Sequence, residues 1–138
     1  MKLKKNVQKT VNLWEREYKK GLTAYMILLF LQKECLYGYQ LTTLLTDLMN
    51  RQILFKDNAI YSVLKQLYKK EFVTCEWRKS EKGPKRKYYT ITESGKQLLE
   101  VFTQNYIAPM LNGLQSLIPE QASFGNKDIG GENDRENS

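Results

Sequence analysis

A single β-hairpin in a chain whose other periodic segments are helical is the feature that most restricts the possible folds. Residues 72–79 alternate apolar with polar or charged side chains, which is the period of a strand. Residues 80–84 form a turn-prone stretch that contains Gly83 and Pro84, and residues 85–92 are again rich in β-forming side chains. We therefore expect two antiparallel strands, joined by a short turn with basic side chains near its tip.

Helical periodicity accounts for most of the chain before the hairpin. Four segments are expected to be helices, residues 6–20, 22–33, 39–50 and 58–70, with Gly21 as a joint between the first two. The second segment contains the longest apolar run of the chain, which is eight residues long. Because a membrane span needs about 20 residues, this segment is expected to be a buried helix at the centre of the core.

Three further features complete the expected secondary structure. Residues 53–55 are too few for a helix and fit a short strand, and Asp57 can cap the following helix by accepting hydrogen bonds from its free N–H groups. Thr92 can cap a last helix that extends to residue 118, in which Pro109 is expected to produce a kink. Past residue 119 the sequence is polar and aperiodic, which is typical of a disordered tail.

Positive charge is concentrated in the part of the chain that is expected to fold. The chain carries 22 Lys or Arg and 15 Asp or Glu, a formal net charge of +7. Residues 1–100 hold 20 of the basic and 10 of the acidic residues. Such a concentration favours polyanionic partners, because binding releases the counterions condensed on them. An ordinary solvated, lysine-rich surface is the alternative explanation.

Other features of the sequence argue against catalysis. The chain has no histidine, so no imidazole can serve as base, acid or zinc ligand. The sequence contains no Gly-rich phosphate loop, no paired-carboxylate motif and no activated Ser or Cys motif. Its two cysteines, Cys35 and Cys75, lack the spacing of a metal or redox motif and are expected to be reduced. We therefore expect a cytoplasmic protein that is not an enzyme, is not bound to a membrane, and uses no cofactor or metal.

The order of the expected elements is that of a winged helix-turn-helix, a mainly α fold with a small β-hairpin, here with added N- and C-terminal helices. In that architecture the third core helix lies in the major groove of DNA and the hairpin reaches the neighbouring backbone or minor groove. The helix at 58–70 carries no acid after its expected cap. The expected regions are an N-terminal amphipathic helix at 1–20, a DNA-binding domain at 21–92, a dimerisation helix at 93–118 and a polar disordered tail at 119–138.

Several short motifs make the chain similar to a known family. They are Leu28-Leu-Phe-Leu31 followed by Tyr37-Gly-Tyr-Gln-Leu41, Ala59-Ile-Tyr61 with Leu64 and Leu67, Trp77, and Gly83-Pro-Lys-Arg-Lys-Tyr-Tyr-Thr-Ile-Thr92 with Gly95. Over about residues 21–100 the chain resembles the PadR-type transcriptional regulators. Two positions depart from the family pattern: Ser62 stands where proline is usual, and Phe72 stands where glycine is more common.

The resemblance implies a homodimer that binds a palindromic operator in double-stranded DNA and represses transcription. It implies that Tyr61 contacts the DNA backbone and that the hairpin adds basic contacts. The expected DNA-binding residues are Tyr39, Asn58, Tyr61, Ser62, Lys65, Lys69, Lys82, Lys85, Arg86 and Lys87. The expected dimer-interface residues are Val11, Trp14, Tyr18, Leu99, Phe102, Tyr106, Met110 and Leu114. The long apolar stripe at 98–117 supports a partner helix independently, because a small winged core cannot bury all of it.

Two other functions fit the same fold. A variant that senses a small aromatic effector would use Trp14, Phe102 and Tyr106 as pocket walls, although ordinary core or dimer packing also explains these three side chains. A winged helix that binds another protein instead of DNA would tolerate acids on the face that carries Asn58 and Lys69, where none is present. A steep loss of binding with salt would distinguish the DNA-binding protein from this last alternative.

Overall fold

The computed structural model describes residues 2–120 and is mainly helical with a small antiparallel sheet, as the sequence predicts. Its elements are α1 (Lys5–Leu31), β1 (Leu36–Tyr37), α2 (Gly38–Leu48), α3 (Asp57–Lys69), β2 (Val73–Ser80), β3 (Gly83–Ile91), α4 (Glu93–Phe102), a π-helical turn (Thr103–Ile107) and α5 (Ala108–Leu117). No helix within the described residues is long and apolar enough to cross a membrane. Most of the expected disordered tail at 119–138, namely residues 121–138, lies outside the described residues.

The N-terminal region forms one helix and not the two that were expected. Helix α1 runs for 27 residues through Gly21, where an added Cβ would meet no other atom within 4 Å. A glycine inside a helix costs only about 1 kcal/mol relative to alanine, which the buried C-terminal half of α1 offsets. That half contributes Met26, Ile27, Leu28 and Leu31 to the core, whereas the first half is mostly exposed.

The sheet has three strands in the order β1-β3-β2, all antiparallel. Its third strand is the two-residue β1, whose Leu36 pairs with Tyr89. The expected strand at 53–55 is wrong, because these residues form a loop. Core packing explains part of their apolar character: Phe55 is buried, and its backbone N–H donates to Thr46 Oγ1 at 3.4 Å, whereas Leu54 is exposed.

The core lies between the C-terminal half of α1, the helices α2 and α3, and the base of the hairpin. Its fully buried side chains include Ile27, Leu41, Leu45, Ile60 and Leu64. Burial of one such side chain contributes about 1.5–3 kcal/mol. Because the buried residues of α3 recur at helical spacing, the opposite face of that helix is left to solvent.

The two expected helix caps have different outcomes. The N-cap of α3 is Lys56, and Asp57 is the first residue of the helix. The carboxylate of Asp57 lies at the positive end of the helix dipole, which stabilises its negative charge. Thr92 is confirmed as a cap, since its Oγ1 accepts from the N–H of Gly95 at 3.0 Å. The same hydroxyl donates to the carbonyl of Glu71 at 2.8 Å, so Thr92 also ties the hairpin to the end of α3.

The chain divides into two compact units, Met1–Leu99 and Glu100–Ser138. In the second unit the π-helical turn at Thr103–Ile107 precedes α5 and ends two residues before Pro109. Proline cannot donate the backbone hydrogen bond of a regular helix, so the irregularity occurs where the sequence predicts one. The rings of Phe102 and Tyr106 lie 5.2 Å apart across this turn.

Candidate functional site

A groove of about 700 Å³ lies between helix α3 and the β-hairpin. We call it the α3–hairpin groove; its eleven lining residues come from α3, from β2 and β3, and from Tyr37 at the end of β1. Five of them carry positive charge, and none is acidic. The basic residues are Lys65, Lys69, Lys85, Arg86 and Lys87.

Helix α3 supplies one wall of the groove through its outward face. Tyr61, Lys65 and Tyr68 recur at intervals of four and three residues, so they share one face, and Lys69 lies beside them. Ile60 and Leu64 recur with the same period one position earlier and are fully buried. The amphipathic pattern that anchors α3 in the core therefore also directs its tyrosines and lysines into the groove.

The hairpin supplies the other wall. The antiparallel register pairs Cys75 with Tyr89 and Trp77 with Lys87. Side chains of directly opposed residues lie on the same face of a sheet, and these four side chains, with that of Lys85, line the groove. Lys87 places its Nζ 5.6 Å from the centroid of the Trp77 ring, which is within range of a cation–π interaction.

Tyr61 owes its position to a glycine in a different helix. An added Cβ on Gly38, at the start of α2, would overlap the ring of Tyr61 and lie 2.7 Å from its hydroxyl. Only glycine allows the ring to lie this close to the backbone. The Tyr-Gly-Tyr motif is thereby connected to the tyrosine of α3, a relationship that the one-dimensional pattern does not reveal.

Arg86 is held by an aromatic contact before any ligand binds. Its Nη1 donates to the hydroxyl of Tyr37 at 2.9 Å, and its guanidinium lies 4.6 Å from the centroid of the same ring. The ring of Tyr37 in turn meets that of Tyr88 edge-on at 5.3 Å. Because a guanidinium has five N–H donors, Arg86 keeps others that can bind an anion.

The charge of the groove is not neutralised by acids in the described part of the chain. The four salt bridges found among residues 2–120 use Lys19, Arg51, Arg78 and Lys96, none of which lines the groove. Burial raises the pKa of the Tyr89 phenol, so this side chain stays neutral and adds no negative charge. The groove is therefore a cationic surface that also contains aromatic side chains.

The structure brings together six of the ten expected DNA-binding residues. These are Tyr61, Lys65, Lys69, Lys85, Arg86 and Lys87. The other four are exposed but do not line the groove: Tyr39 near the start of α2, Asn58 and Ser62 in the first half of α3, and Lys82 in the hairpin turn.

Apart from Tyr61, sequence reasoning missed the aromatic residues of the site. Tyr68, which is not among the expected DNA-binding residues, is 51% exposed, because it lies one turn beyond Lys65 on the groove side of α3. Trp77 is one of the apolar residues in the alternating pattern of 72–79, but it is 62% exposed, since the hairpin extends beyond the core at that point. The spacing from Tyr61 to Tyr68 was the available signal for this aromatic face.

The expected dimer-interface residues fall into both units. In the first unit Val11 and Trp14 are exposed, while Tyr18 donates its hydroxyl to Met49 Sδ at 3.6 Å. Leu99 is 4% exposed and belongs to the core of this chain, and its expected role at the interface stays a prediction. In the second unit the exposed apolar residues of this set are Tyr106, Met110 and Leu114. The expected pocket of Trp14, Phe102 and Tyr106 stays a prediction.

Comparison with known proteins identifies the family. The model of the transcriptional regulator PadR-like family matches residues 27–101, more than half of the chain and all of the α3–hairpin groove. The chain belongs to the PadR-like family. This PadR-like chain is thus a member of a family of transcriptional regulators and not of enzymes, as the sequence predicts.

Individual PadR-like relatives agree with this assignment. A crystal structure of Bacillus subtilis PadR in complex with operator DNA is similar at 32% identity and a TM-score of 0.54, over 59% of this chain and 46% of that protein. The chain thus spans about half the length of that relative. A PadR-like transcriptional regulator from Bacillus cereus is similar at 32% identity and a TM-score of 0.61, over 72% of this chain and 96% of that one. An uncharacterized Lysinibacillus sphaericus protein is 31% identical over 85 residues, which are 62% of this chain and 77% of that protein.

Proposed function

We propose that this PadR-like chain binds double-stranded DNA with sequence specificity through α3 and the hairpin. The observation that carries the proposal is the α3–hairpin groove, where five cations from two structural elements face outward without an acidic neighbour in the lining. A helix fits the major groove, which is about 12 Å wide. The similarity to Bacillus subtilis PadR, which was crystallised with operator DNA, supports the proposal.

The proposed roles follow from side-chain chemistry. Asn58 and Ser62, exposed in the first half of α3, can exchange hydrogen bonds with base edges. Lys65 and Lys69 can reach guanine or phosphate oxygens, and the Tyr61 hydroxyl can donate to a phosphate. The hairpin residues Lys82, Lys85, Arg86 and Lys87, together with Tyr39, would contact the backbone beside the major groove. Phosphate contacts set the position on the duplex, while base contacts select the sequence.

We further propose that the active species is a homodimer that represses by occupying its operator. Apolar side chains are exposed in both units, including Val11 and Trp14 on α1 and Met110, Leu114 and Leu117 on α5. Exposed apolar patches of this kind favour burial against a partner. In this scheme residues 21–92 bind DNA, and residues 1–20 and 93–118 join the subunits. A twofold dimer would present two α3 helices about 34 Å apart to a palindromic site.

Selection of bound duplexes from a random pool tests the proposal. We expect a palindrome whose half-sites are separated by about one helical turn. Binding to the selected duplex should then weaken with salt, with log K falling by about 0.9 per phosphate contact for each unit of log salt concentration. A pool without a consensus, or binding that does not respond to salt, would contradict sequence-specific DNA binding.

A further inference from the structure

We infer that the α3–hairpin groove is also a binding site for a small molecule of one chemical class: a planar aromatic ring system that carries a phosphate group, as a mononucleotide does. The binding itself is independent of the proposed function. Its regulatory consequence, which is competition with DNA, rests on the proposal that duplex DNA binds the same face.

The size of the groove is the first observation. Its volume of about 700 Å³ lies within the range of about 300–1,000 Å³ that is typical of small-molecule sites. A helix and a hairpin can contact a duplex through protruding side chains, for which no concavity between them is needed. The space between α3 and the hairpin is therefore available to a ligand of its own.

Aromatic rings on both walls are the second observation. Tyr61 and Tyr68 come from α3, and Trp77 and Tyr89 come from the hairpin. Tyr61 is 45% exposed and Trp77 is more so, which leaves ring surface open to the groove. Every nucleic-acid base offers a planar π-face that stacks on such rings without regard to its identity. The walls thus suit a flat ring system.

The position of the cations is the third observation. Lys87 Nζ lies 5.6 Å from the centroid of the Trp77 ring, so a ligand stacked on the exposed part of that indole would carry its charged group close to an ammonium. Arg86 is oriented by Tyr37, and a guanidinium held in one orientation can bind two phosphate oxygens at once. Lys65 and Lys85 approach from the two walls. Several cations around one small volume suit a phosphate better than a singly charged group.

The same lysines are the ones proposed to bind DNA phosphates. A bound ligand would neutralise them and would occupy the space between α3 and the hairpin. DNA and ligand would therefore exclude each other by direct competition, without any change of conformation.

The test uses the fluorescence of Trp77. The chain has two tryptophans, so the variant Trp14→Phe leaves Trp77 as the only one. The full-length variant is titrated with guanosine 5′-monophosphate, guanosine and inorganic phosphate in turn. We expect saturable quenching by the nucleotide, quenching by guanosine that is about tenfold weaker in apparent affinity, and none by phosphate. Calorimetry with the unmodified chain repeats the comparison in case Trp14→Phe disturbs the assembly.

Matched variants locate the binding. Lys85→Ala and Lys87→Ala, made in the Trp14→Phe background, should each weaken nucleotide binding by about five- to tenfold. Lys79→Ala, which removes an exposed hairpin lysine outside the groove, should leave it unchanged. Equal affinities for nucleotide and nucleoside, no saturable binding, or an equal loss in Lys79→Ala would each overturn the site.

A competition experiment separates this inference from the proposed function. The nucleotide is added to the complex of the unmodified chain with a labelled duplex from the selection, and displacement is followed by fluorescence anisotropy. Displacement at the concentrations that quench Trp77 supports direct competition, and a duplex that stays bound when Trp77 is saturated overturns it. If no duplex is ever selected while the nucleotide still binds, the proposed function fails and the site stands. If the duplex binds and the nucleotide does not, the site fails and the function stands.

Discussion

Gly95 and Gly38 both lie in the first turn of a helix, and both leave room for a group that a Cβ would displace, but the two groups differ. At Gly95 in α4, an added Cβ would collide with the carbonyl oxygen of Phe72 and come within 2.7 Å of Ile91 Cγ1. At Gly38 in α2, it would collide with the ring of Tyr61. Backbone and core atoms cannot move away at low cost, whereas the far end of a half-exposed side chain can rotate. We infer that Gly95 is needed for the fold and Gly38 for the geometry of the groove.

The largest expected effect is that of Gly95→Ala. The methyl group would push α4 away from the base of the hairpin and disturb the bond from the Gly95 N–H to Thr92, so we expect a loss of about 2–4 kcal/mol in the free energy of unfolding. Urea denaturation followed by circular dichroism measures it. The matched control is Gly21→Ala in α1, where the methyl group would contact no other atom within 4 Å. There the higher helix propensity of alanine should raise the free energy of unfolding by about 0.5–1 kcal/mol. Similar losses in both variants would refute the distinction.

The next effect is that of Gly38→Ala, which should reduce DNA affinity more than stability. The methyl group would turn the Tyr61 ring out of its place, and we expect about a tenfold loss of affinity for the selected duplex, which is about 1.4 kcal/mol. Fluorescence anisotropy measures the affinity, and urea denaturation the smaller change in stability. In a Tyr61→Ala background the same substitution should have little further effect, because no ring remains to be displaced. Losses that simply add would show that Gly38 acts without Tyr61.

These two sites also show what could be read from the sequence. The hairpin, the outward face of α3 and the Thr92 cap depend on residues that are near one another in the chain, and all three were predicted. The contact between Gly38 and Tyr61 joins residues more than 20 positions apart, and no local pattern contains it. The resemblance to the PadR-type regulators pointed to both motifs without the physical reason that connects them.

The errors have a common cause in tertiary packing. Gly21 resembles a joint, but the buried residues that follow it keep α1 continuous. Residues 53–55 have the β-forming, apolar composition of a strand, but they form a loop. This loop packs Phe55 into the core. The true third strand, β1, is only two residues long and exists because β3 offers it an open edge. A strand defined by its partner leaves little signal in its own residues.

A smaller effect is expected at the groove itself, where a charge can be removed without a change in packing. Lys65→Ala should weaken binding to the selected duplex about five- to tenfold. It should also make the slope of log K against log salt concentration shallower by about 0.9, the value for one phosphate contact. Its stability should be unchanged, because the side chain is exposed. Lys70→Ala, at the C-cap of α3 and outside the groove, is the control for net charge. If both variants lose the same affinity, total charge and not the groove determines binding.

The smallest effect concerns a place where glycine is favoured but absent. The resemblance suggested a glycine at 72, but the left-handed residue after α3 is Glu71, with φ of 65°. The N–H of Glu71 donates to the carbonyl of Tyr68 and that of Phe72 to the carbonyl of Leu67, the hydrogen-bond pattern that commonly ends a helix on glycine.

Glu71→Gly should therefore raise the free energy of unfolding by about 0.5–1 kcal/mol, since relief of the left-handed strain outweighs the greater freedom of glycine in the unfolded chain. Urea denaturation measures it, with Lys70→Gly as the neighbouring control, which has φ of −88° and should lose stability. If Glu71→Gly is destabilising instead, the greater freedom of glycine in the unfolded chain outweighs the relief of strain. In that case the left-handed backbone would not decide the residue at this turn, in contrast to Gly38 and Gly95, where the lack of room for a Cβ does.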